Sequence, residues 1–173
     1  NVGMYSISGG RAINGSATIN SIIRVSASDK TNKLFGIGMA AGYTDDNGVV
    51  HQTGTVENYG TIKVEKDNGI GMYATGRGSK AINRGNIELS GKSTTGMYLD
   101  NNAIGENYGT IKTVPNPTNT GIIGVVALNG AVIKNYGTIE IKGNNNTGIY
   151  LAKGKREGAD PIATDGATDV KEN

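Results

Sequence analysis

The sequence predicts an all-β fold, a parallel β-helix of about six coils with about 24–25 residues per coil and loop insertions, and three observations support this. The unit Asn-Tyr-Gly-Thr-Ile occurs three times, beginning at residues 58, 107 and 135. Ile62 and Ile111 end two of these units, and Ile87 ends a weaker copy between them. Successive isoleucines are therefore 25 and 24 residues apart. Gly and Asn separate short aliphatic stretches, as expected of tight turns between strands.

A second repeated segment alternates with the first and completes the predicted coil. It begins with glycine and continues with Met, Ile or Val, at residues Gly3, Gly38, Gly71, Gly96, Gly124 and Gly148. Three short strands per period, each bonded to the equivalent strand of the next coil, make a solenoid that is stable only when its coils stack. Leucine-rich repeats need a regular leucine lattice, and helical repeats need a 3.6-residue apolar period; neither pattern is present.

The composition limits the possible functions. The chain of 173 residues has 28 Gly, one Phe, no Trp, no Cys and a net charge of only +2. The small charge gives no electrostatic case for nucleic acid or an anionic membrane surface. Without Cys there is no disulfide, no thiol nucleophile and no cysteine-ligated metal. We expect no cofactor, because neither the Gly91–Lys92 segment nor the Gly-Ile-Gly segments have the spacing of a nucleotide-binding loop.

Alternation of apolar and polar residues predicts which side chains face inward. In residues 62–64, 87–89 and 139–141 the aliphatic residues alternate with a charged one, which places the aliphatic side chains inside. Stacked coils then predict an inward isoleucine ladder (Ile19, Ile62, Ile87, Ile111, Ile139) and an outward tyrosine ladder (Tyr73, Tyr98, Tyr150). An asparagine precedes each turn glycine or its equivalent, and we predict a structural corner ladder of Asn14, Asn58, Asn83, Asn107 and Asn135.

The insertions locate the variable surface, where binding residues are most easily accommodated. The first lies at 26–34, and a second, at 42–52, contains Asp-Asp-Asn-Gly, which predicts a β-hairpin with Val49 and Val50 on the return strand. Further insertions lie at 113–119 and 153–169. We predict a partner-binding loop in the second insertion, made of Tyr43, Asp45, Asp46 and His51.

The same acidic residues allow a catalytic alternative to the binding loop. The carboxylates of Asp45 and Asp46 would suit acid–base chemistry on a polysaccharide or a metal site, but no second acidic cluster recurs at coil spacing to face them. Glu57 and Glu106 share an outward column with Ile82 and Lys134, a mixture typical of a solvated face. We likewise expect Arg84 and its basic neighbours to form a solvated face, and His51 to be a solvated loop residue. We therefore predict no catalytic residue and no metal ligand.

The ends of the sequence indicate a part of a longer repeat protein. The first residues already match the repeat, with no evident signal peptide, and Lys171, Glu172 and Asn173 match the opening of another unit. We expect β-helix coils over residues 1–152. Residues 153–173 are expected to be a polar insertion or tail leading into the next coil.

The repeats carry a family resemblance. Asn-Tyr-Gly-Thr-Ile units that alternate with Gly-Ile-Gly-Met-Tyr or Thr-Gly-Met-Tyr-Leu, over about residues 1–152, resemble the passenger regions of large type V autotransporter adhesins of the fusobacterial kind. The resemblance implies a right-handed β-helix outside the cell, anchored in the outer membrane of a Gram-negative bacterium by a β-barrel elsewhere in the chain. It also implies adhesion to a protein or glycan of a host cell or another bacterium.

The sequence thus leaves two hypotheses of different classes. The first is a non-enzymatic adhesin segment that displays surface loops for cell adhesion or aggregation, or serves as a rigid spacer. The alternative is a β-helical polysaccharide-degrading enzyme, a lyase or a glycoside hydrolase.

Overall fold

The protein is a three-sheet parallel solenoid, seen in a computed structural model that describes residues 1–29, 31–47, 49–115 and 120–153. None of the described residues forms a helix long and apolar enough to cross a membrane. The strands of the described residues are β1 Val2–Ser6, β2 Arg11–Asn14, β3 Ile22–Arg24, β4 Ile37–Ala41, β5 Tyr43–Thr44, β6 Val50–Gln52, β7 Thr55–Asn58, β8 Thr61–Val64, β9 Ile70–Thr75, β10 Lys80–Asn83, β11 Asn86–Leu89, β12 Thr95–Asp100, β13 Ile104–Asn107, β14 Thr110–Thr113, β15 Ile123–Leu128, β16 Val132–Asn135, β17 Thr138–Glu140 and β18 Thr147–Ala152.

Each coil contributes one strand to each of three parallel sheets. Sheet A has the order β1-β4-β9-β12-β15-β18, sheet B the order β2-β7-β10-β13-β16, and sheet C the order β3-β8-β11-β14-β17. The predicted right-handed parallel β-helix is confirmed. The described strands make five complete coils and the first strand of a sixth, slightly fewer than the six coils predicted.

The core is a narrow column because each strand directs only one or two side chains inward. Sheet C supplies the isoleucine ladder, in which Ile62, Ile87 and Ile111 are fully buried. Its first member is Ile23, which pairs with Ile62, and not the predicted Ile19, which is 65% exposed. The Ile19 prediction is wrong because Ile19 lies in the turn before β3, where it and Ser16 exchange backbone hydrogen bonds.

Sheet A supplies two further inward columns. Met39, Met72, Met97 and Val125 are in register and fully buried. The second column contains smaller residues in the coils before Leu99. In the coil of Leu99, Gly105 of sheet B faces the leucine. A Cβ on Gly105 would lie 2.4 Å from Cδ1 of Leu99, so the two positions share one volume. The core is therefore close-packed because a large side chain in sheet A is matched by a glycine in sheet B.

The glycine that opens each sheet A segment is required by the stacking. A Cβ on Gly71 would lie 2.6 Å from the carbonyl oxygen of Gly96 and 3.0 Å from Cγ2 of Ile87. Any other residue would push apart either the neighbouring coil or the isoleucine ladder. The glycine is therefore repeated in the sequence because the backbones of neighbouring coils approach closely at this position.

The outer face of sheet A carries an interrupted tyrosine column. In register it contains Tyr5, Ala40, Tyr73, Tyr98, Val126 and Tyr150. Tyr73 and Tyr98 form the predicted contact, with ring centroids 5.9 Å apart. The three predicted tyrosines, Tyr73, Tyr98 and Tyr150, share this column, and Val126 separates Tyr98 from Tyr150. Burial raises the pKa of Tyr98 to about 12.

The asparagines at the corner between sheets B and C form a chain of amide hydrogen bonds. Nδ2 of each asparagine donates to Oδ1 of the next, from Asn14 through Asn58, Asn83 and Asn107 to Asn135, and each of the four bonds is 2.8 Å long. The same Nδ2 of Asn58, Asn83, Asn107 and Asn135 also approaches the carbonyl oxygen two residues ahead, at 3.2–3.3 Å. These bonds satisfy side chains that are almost completely buried in the first four positions.

The insertions leave the stack at its corners. In the insertion at 26–34, Asp29 and Leu34 form an antiparallel bridge. The predicted hairpin of the second insertion is present, with β5 and β6 antiparallel. Of the insertion at 113–119 only 113–115 are described. Of the predicted tail at 153–173 only Lys153 lies within the described residues.

We expect Asn107→Leu to lower the free energy of unfolding by about 3 kcal/mol. The substitution leaves the buried Nδ2 of Asn83 without its acceptor and removes the donor to Asn135. Chemical denaturation followed by circular dichroism measures the change. Asn86→Leu is the matched control, since Asn86 is an exposed asparagine near the same corner and is not a member of the amide chain. Equal losses in the two variants would contradict a stabilising role for the buried amide chain.

Candidate functional site

The hairpin of the second insertion leaves sheet A immediately after β4. The turn residue is Gly42, which has a φ of +85° and donates its N–H to the carbonyl oxygen of Ser6 at 2.9 Å. A Cβ on Gly42 would lie 2.3 Å from the carbonyl oxygen of Thr75. Only glycine therefore lets the chain turn outward at this point without displacing the next coil.

Asp45 organises the hairpin turn. Its Oδ1 accepts the backbone N–H of Asn47 and of Val49, both at 2.9 Å. Its Oδ2 lies 2.8 Å from Nε2 of His51 on the return strand. The hydrogen bond with His51, followed by that from Val49, lowers the pKa of Asp45 below its ordinary value. Asp45 is thus a carboxylate held by its own loop.

Three of the four predicted loop residues are brought together. The ring of His51 stacks on the ring of Tyr43, with centroids 5.4 Å apart and planes inclined by 27°. His51 is exposed, as expected of a solvated loop residue, and Tyr43 and Asp45 also hold its imidazole. Asp46 is exposed at the tip of the hairpin. The role of these residues in binding remains a prediction.

An open cleft of about 280 Å³ lies between the hairpin and the outer face of sheet A. Its lining is mostly apolar or aromatic, and the two threonines that line it are bonded to each other, Thr75 Oγ1 to Thr44 Oγ1 at 2.9 Å. The described residues that line it are Val2, Tyr5, Ile37, Ala40, Gly42, Tyr43, Thr44, Tyr73 and Thr75. The sequence did not predict this cleft, because it depends on the angle at which the hairpin folds back.

A second polar cluster lies on the outer face of sheet B. Glu57 is only 2% exposed, with Oε1 2.6 Å from Nε of Arg84 and Oε2 bonded to Arg11. Burial raises the pKa of Glu57, but the hydrogen bonds from Arg84 and Arg11 outweigh it, and the pKa lies below its ordinary value. The prediction of a solvated face is wrong at Glu57, because Arg84 and Arg11, which are themselves exposed, close over its carboxylate.

Aromatic rings extend this cluster along the corner. The guanidinium of Arg84 lies 4.5 Å from the ring centroid of Tyr108 and 5.9 Å from that of Tyr59, within the range of cation–π attraction. Tyr108 stacks on Tyr136 with centroids 4.9 Å apart. A sequence signal was present, since Arg84 takes the place of the tyrosine in a weaker copy of Asn-Tyr-Gly.

The geometry does not bring two carboxylates together on the outer face of sheet B. Glu57 and Glu106 lie in one column, but Ile82 is paired between them. Glu57 is bound by its arginines, and Glu106 Oε2 accepts the hydroxyl of Tyr108 at 3.1 Å. Within the described ranges, no group of three or more His, Asp or Glu residues is arranged to hold a metal ion.

We expect Glu57→Gln to lower the free energy of unfolding by about 2–4 kcal/mol at neutral pH, since the amide cannot balance two arginines. The pKa of Glu57 is depressed in the folded state, so its contribution is fully present above its ordinary value of 4.5 and is lost as pH falls through the folded pKa. Urea unfolding from pH 7 to pH 3 measures both effects.

The control for Glu57→Gln is Glu65→Gln, which removes an exposed carboxylate paired with Arg24. We expect a change below about 1 kcal/mol in this control, as for other exposed ion pairs. A Glu57→Gln variant as stable as the control at pH 7 would contradict the structural role of the buried carboxylate.

The comparisons with known proteins fit this architecture. No curated protein matches the sequence. No solved structure matches it either. The model of one protein family, the BigA third pectate lyase-like domain, matches residues 1–109, which form the first coils and include the hairpin. BigA is a bacterial surface protein. The chain is therefore a β-helical domain of a bacterial surface protein and belongs to the family of the BigA third pectate lyase-like domain.

Proposed function

We propose that this chain is a non-enzymatic, extracellular segment of an autotransporter adhesin of the type V, fusobacterial kind. It is exposed at the outer membrane of a Gram-negative bacterium and presents surface loops to a protein or glycan of a host cell or another bacterium. The family match to a bacterial surface protein supports the location. The resemblance of the repeats supports the secretion type.

One observation carries the adhesive role: a rigid stack presents an ordered hairpin with exposed groups. Tyr43 is 49% exposed, Val49 is 53% exposed, and Asp46 is exposed at the tip. Beneath the hairpin the inter-coil pairing of β4 with β9 continues without interruption. A loop held in this way loses little conformational entropy on binding, which favours affinity.

A second candidate is a polysaccharide-degrading enzyme, favoured by the pectate lyase-like fold of the family. It would use carboxylates on the outer sheet faces or on the hairpin. Incubation with acidic and neutral polysaccharides, with measurement of new reducing ends and of unsaturated products, tests it. Product formation lost in Asp45→Asn would establish an enzyme at the hairpin.

We expect the labelled full chain to bind saturably to epithelial cells or to co-resident bacteria. A variant in which residues 43–52 are replaced by a two-residue turn should lose this binding, because the exposed groups of the hairpin are removed while the stack is kept. Flow cytometry over a concentration series measures it, and circular dichroism checks the fold of each variant.

The matched control replaces residues 29–34, which form the bridged insertion of the preceding corner, with the same short turn. Binding should persist in this control. Equal binding by the hairpin variant and the unmodified chain would show that the hairpin is not part of the adhesive surface. Absence of binding by the unmodified chain would leave a rigid spacer as the function of these coils.

A further inference from the structure

The ion-pair cluster on sheet B contains one arginine more than its carboxylate requires. Arg11 alone would balance the charge of Glu57, yet Arg84 binds the same carboxylate through Nε. The side chain of Glu57 is 2% exposed and that of Arg84 is 37% exposed, so solvent reaches the arginine and not the carboxylate. One of the two guanidinium charges therefore remains unbalanced at the surface.

The guanidinium of Arg84 is held in one orientation. Its Nε donates to Oε1 of Glu57 at 2.6 Å. Its Cζ lies 4.5 Å from the ring centroid of Tyr108 and 5.9 Å from that of Tyr59, on the following and the preceding coil. A guanidinium that is restricted in this way before binding loses less conformational entropy for each hydrogen bond to a ligand.

The donors that remain on Arg84 form a fork. Nε is bonded to Glu57, whereas Nη1 and Nη2 donate to no oxygen of the described residues. Two parallel N–H groups of a guanidinium match the two oxygens of a carboxylate, and such bidentate pairs are stronger and more selective than a bond to a single ammonium group. The free end of Arg84 is therefore suited to one carboxylate group.

The tyrosines beside Arg84 favour an anion over the face of a sugar ring. Tyr108 lies between Arg84 on the preceding coil and Tyr136 on the following coil, whose ring centroid is 4.9 Å away. Both faces of Tyr108 are thus covered, and only its edge is open to a ligand. The edge of an aromatic ring carries the positive part of its quadrupole, which attracts an anion placed next to the guanidinium.

The charges around Arg84 also favour an acidic ligand. On the outer face of sheet B and its corner with sheet C, four cationic residues stand against two carboxylates, which leaves a charge of +2. These residues are Arg11, Lys80, Arg84 and Lys134, and Glu57 and Glu106. A positive surface raises the local concentration of acidic ligands and speeds their association.

The position of Arg84 connects it with the hairpin, and its surroundings favour a protein partner. β6 of the hairpin ends at Gln52, β7 then crosses sheet B, and Tyr59 follows directly at the corner. A strand of four residues spans about 13 Å, so one partner surface can contact both the hairpin and the corner. Arginine and tyrosine are also the residue types that are enriched at the energetically dominant positions of protein–protein interfaces.

We propose that Arg84, positioned by Glu57 between Tyr59 and Tyr108, binds the carboxylate of an aspartate or glutamate side chain of a protein partner. The carboxylate accepts hydrogen bonds from Nη1 and Nη2 and lies beside the edges of the two tyrosine rings. This deepens the proposed adhesive function and rests on it for the kind of partner, a surface protein.

The test is an NMR titration of the isotopically labelled full chain at constant ionic strength, with acetyl-Glu-amide as the probe. Saturable shifts are expected at the side-chain Nε–H of Arg84 and at the rings of Tyr59 and Tyr108. Acetyl-Gln-amide has the same shape without the charge, and it should bind about tenfold more weakly or less, because a charge-assisted bidentate pair is lost. Methyl β-glucuronoside tests a sugar acid in place of an acidic side chain.

Two substitutions of Arg84 separate charge from geometry. Arg84→Tyr should abolish binding of acetyl-Glu-amide, and it keeps the stack because tyrosine occupies this column on the neighbouring coils, while Arg11 still pairs with Glu57. Arg84→Lys keeps the charge without the fork and should weaken binding about fivefold or more. Circular dichroism checks the fold of each variant.

The matched control is Arg77→Gln, which removes another exposed arginine of the same coil. No aromatic ring of the described residues forms a cation–π contact with Arg77, so nothing of that kind holds its guanidinium in place. Binding of acetyl-Glu-amide should be unchanged in Arg77→Gln. Equal losses in Arg77→Gln and Arg84→Tyr would show unspecific attraction of the probe and would contradict a site at Arg84.

Four further results would overturn the proposal: no saturable shift with acetyl-Glu-amide, equal binding of acetyl-Gln-amide, unchanged binding in Arg84→Tyr, or tighter binding of methyl β-glucuronoside. The last would assign the site to an acidic glycan. If cells bind the unmodified chain and Arg84→Tyr equally, the proposed partner contact fails while the adhesive function stands. Loss of cell binding in Arg84→Tyr, with binding kept in Arg77→Gln, would support both.

Discussion

The structure depends on one constraint, the requirement that every strand hydrogen-bond to the equivalent strand of the next coil. Parallel pairing fixes both the distance between coils and the register within them, so each residue type is repeated along a column. The glycines of sheet A and the asparagines of the corner follow from this constraint. Gly71 must lack a side chain because its Cβ would lie only 2.6 Å from the carbonyl oxygen of Gly96. Asn83 bonds Asn107 because the register places the two amides together.

The same constraint determines where new surface can be added. A residue inserted within a strand would shift the register of a whole column, whereas a hairpin inserted at a corner changes none. Gly42 makes this possible by turning the chain outward, and the pairing of β4 with β9 beneath it is unbroken. The hairpin is held by its own contacts, chiefly those of Asp45. The conformation of the loop is therefore determined separately from the stacking of the coils.

The features that repeat were predictable from the sequence, and those that occur once were not. The three sheets, the isoleucine core and the position of the hairpin follow from periodicity and turn chemistry. The sequence favours Ile19 over Ile23 for the ladder because Thr18 and Ile19 match the Thr-Ile end of the repeat unit, and only the turn around Ser16 decides between them. The enclosure of Glu57 and the stacking of His51 on Tyr43 depend on side chains from different coils or strands, for which one sequence carries no repeated pattern.

In such a fold, a position that departs from its column marks a local change in chemistry. Gly105 departs from its column to make room for Leu99, so that departure is explained inside the core. Arg84 replaces a tyrosine and neutralises Glu57 on the preceding coil, which explains this departure at the surface. Ala40 also replaces a tyrosine, and it is buried beside Tyr5, whose hydroxyl donates to the carbonyl oxygen of Gly42 at the base of the hairpin. At these three positions the departure is matched by a side chain of the same or a neighbouring coil, so the chemistry of a column changes where its neighbours require it.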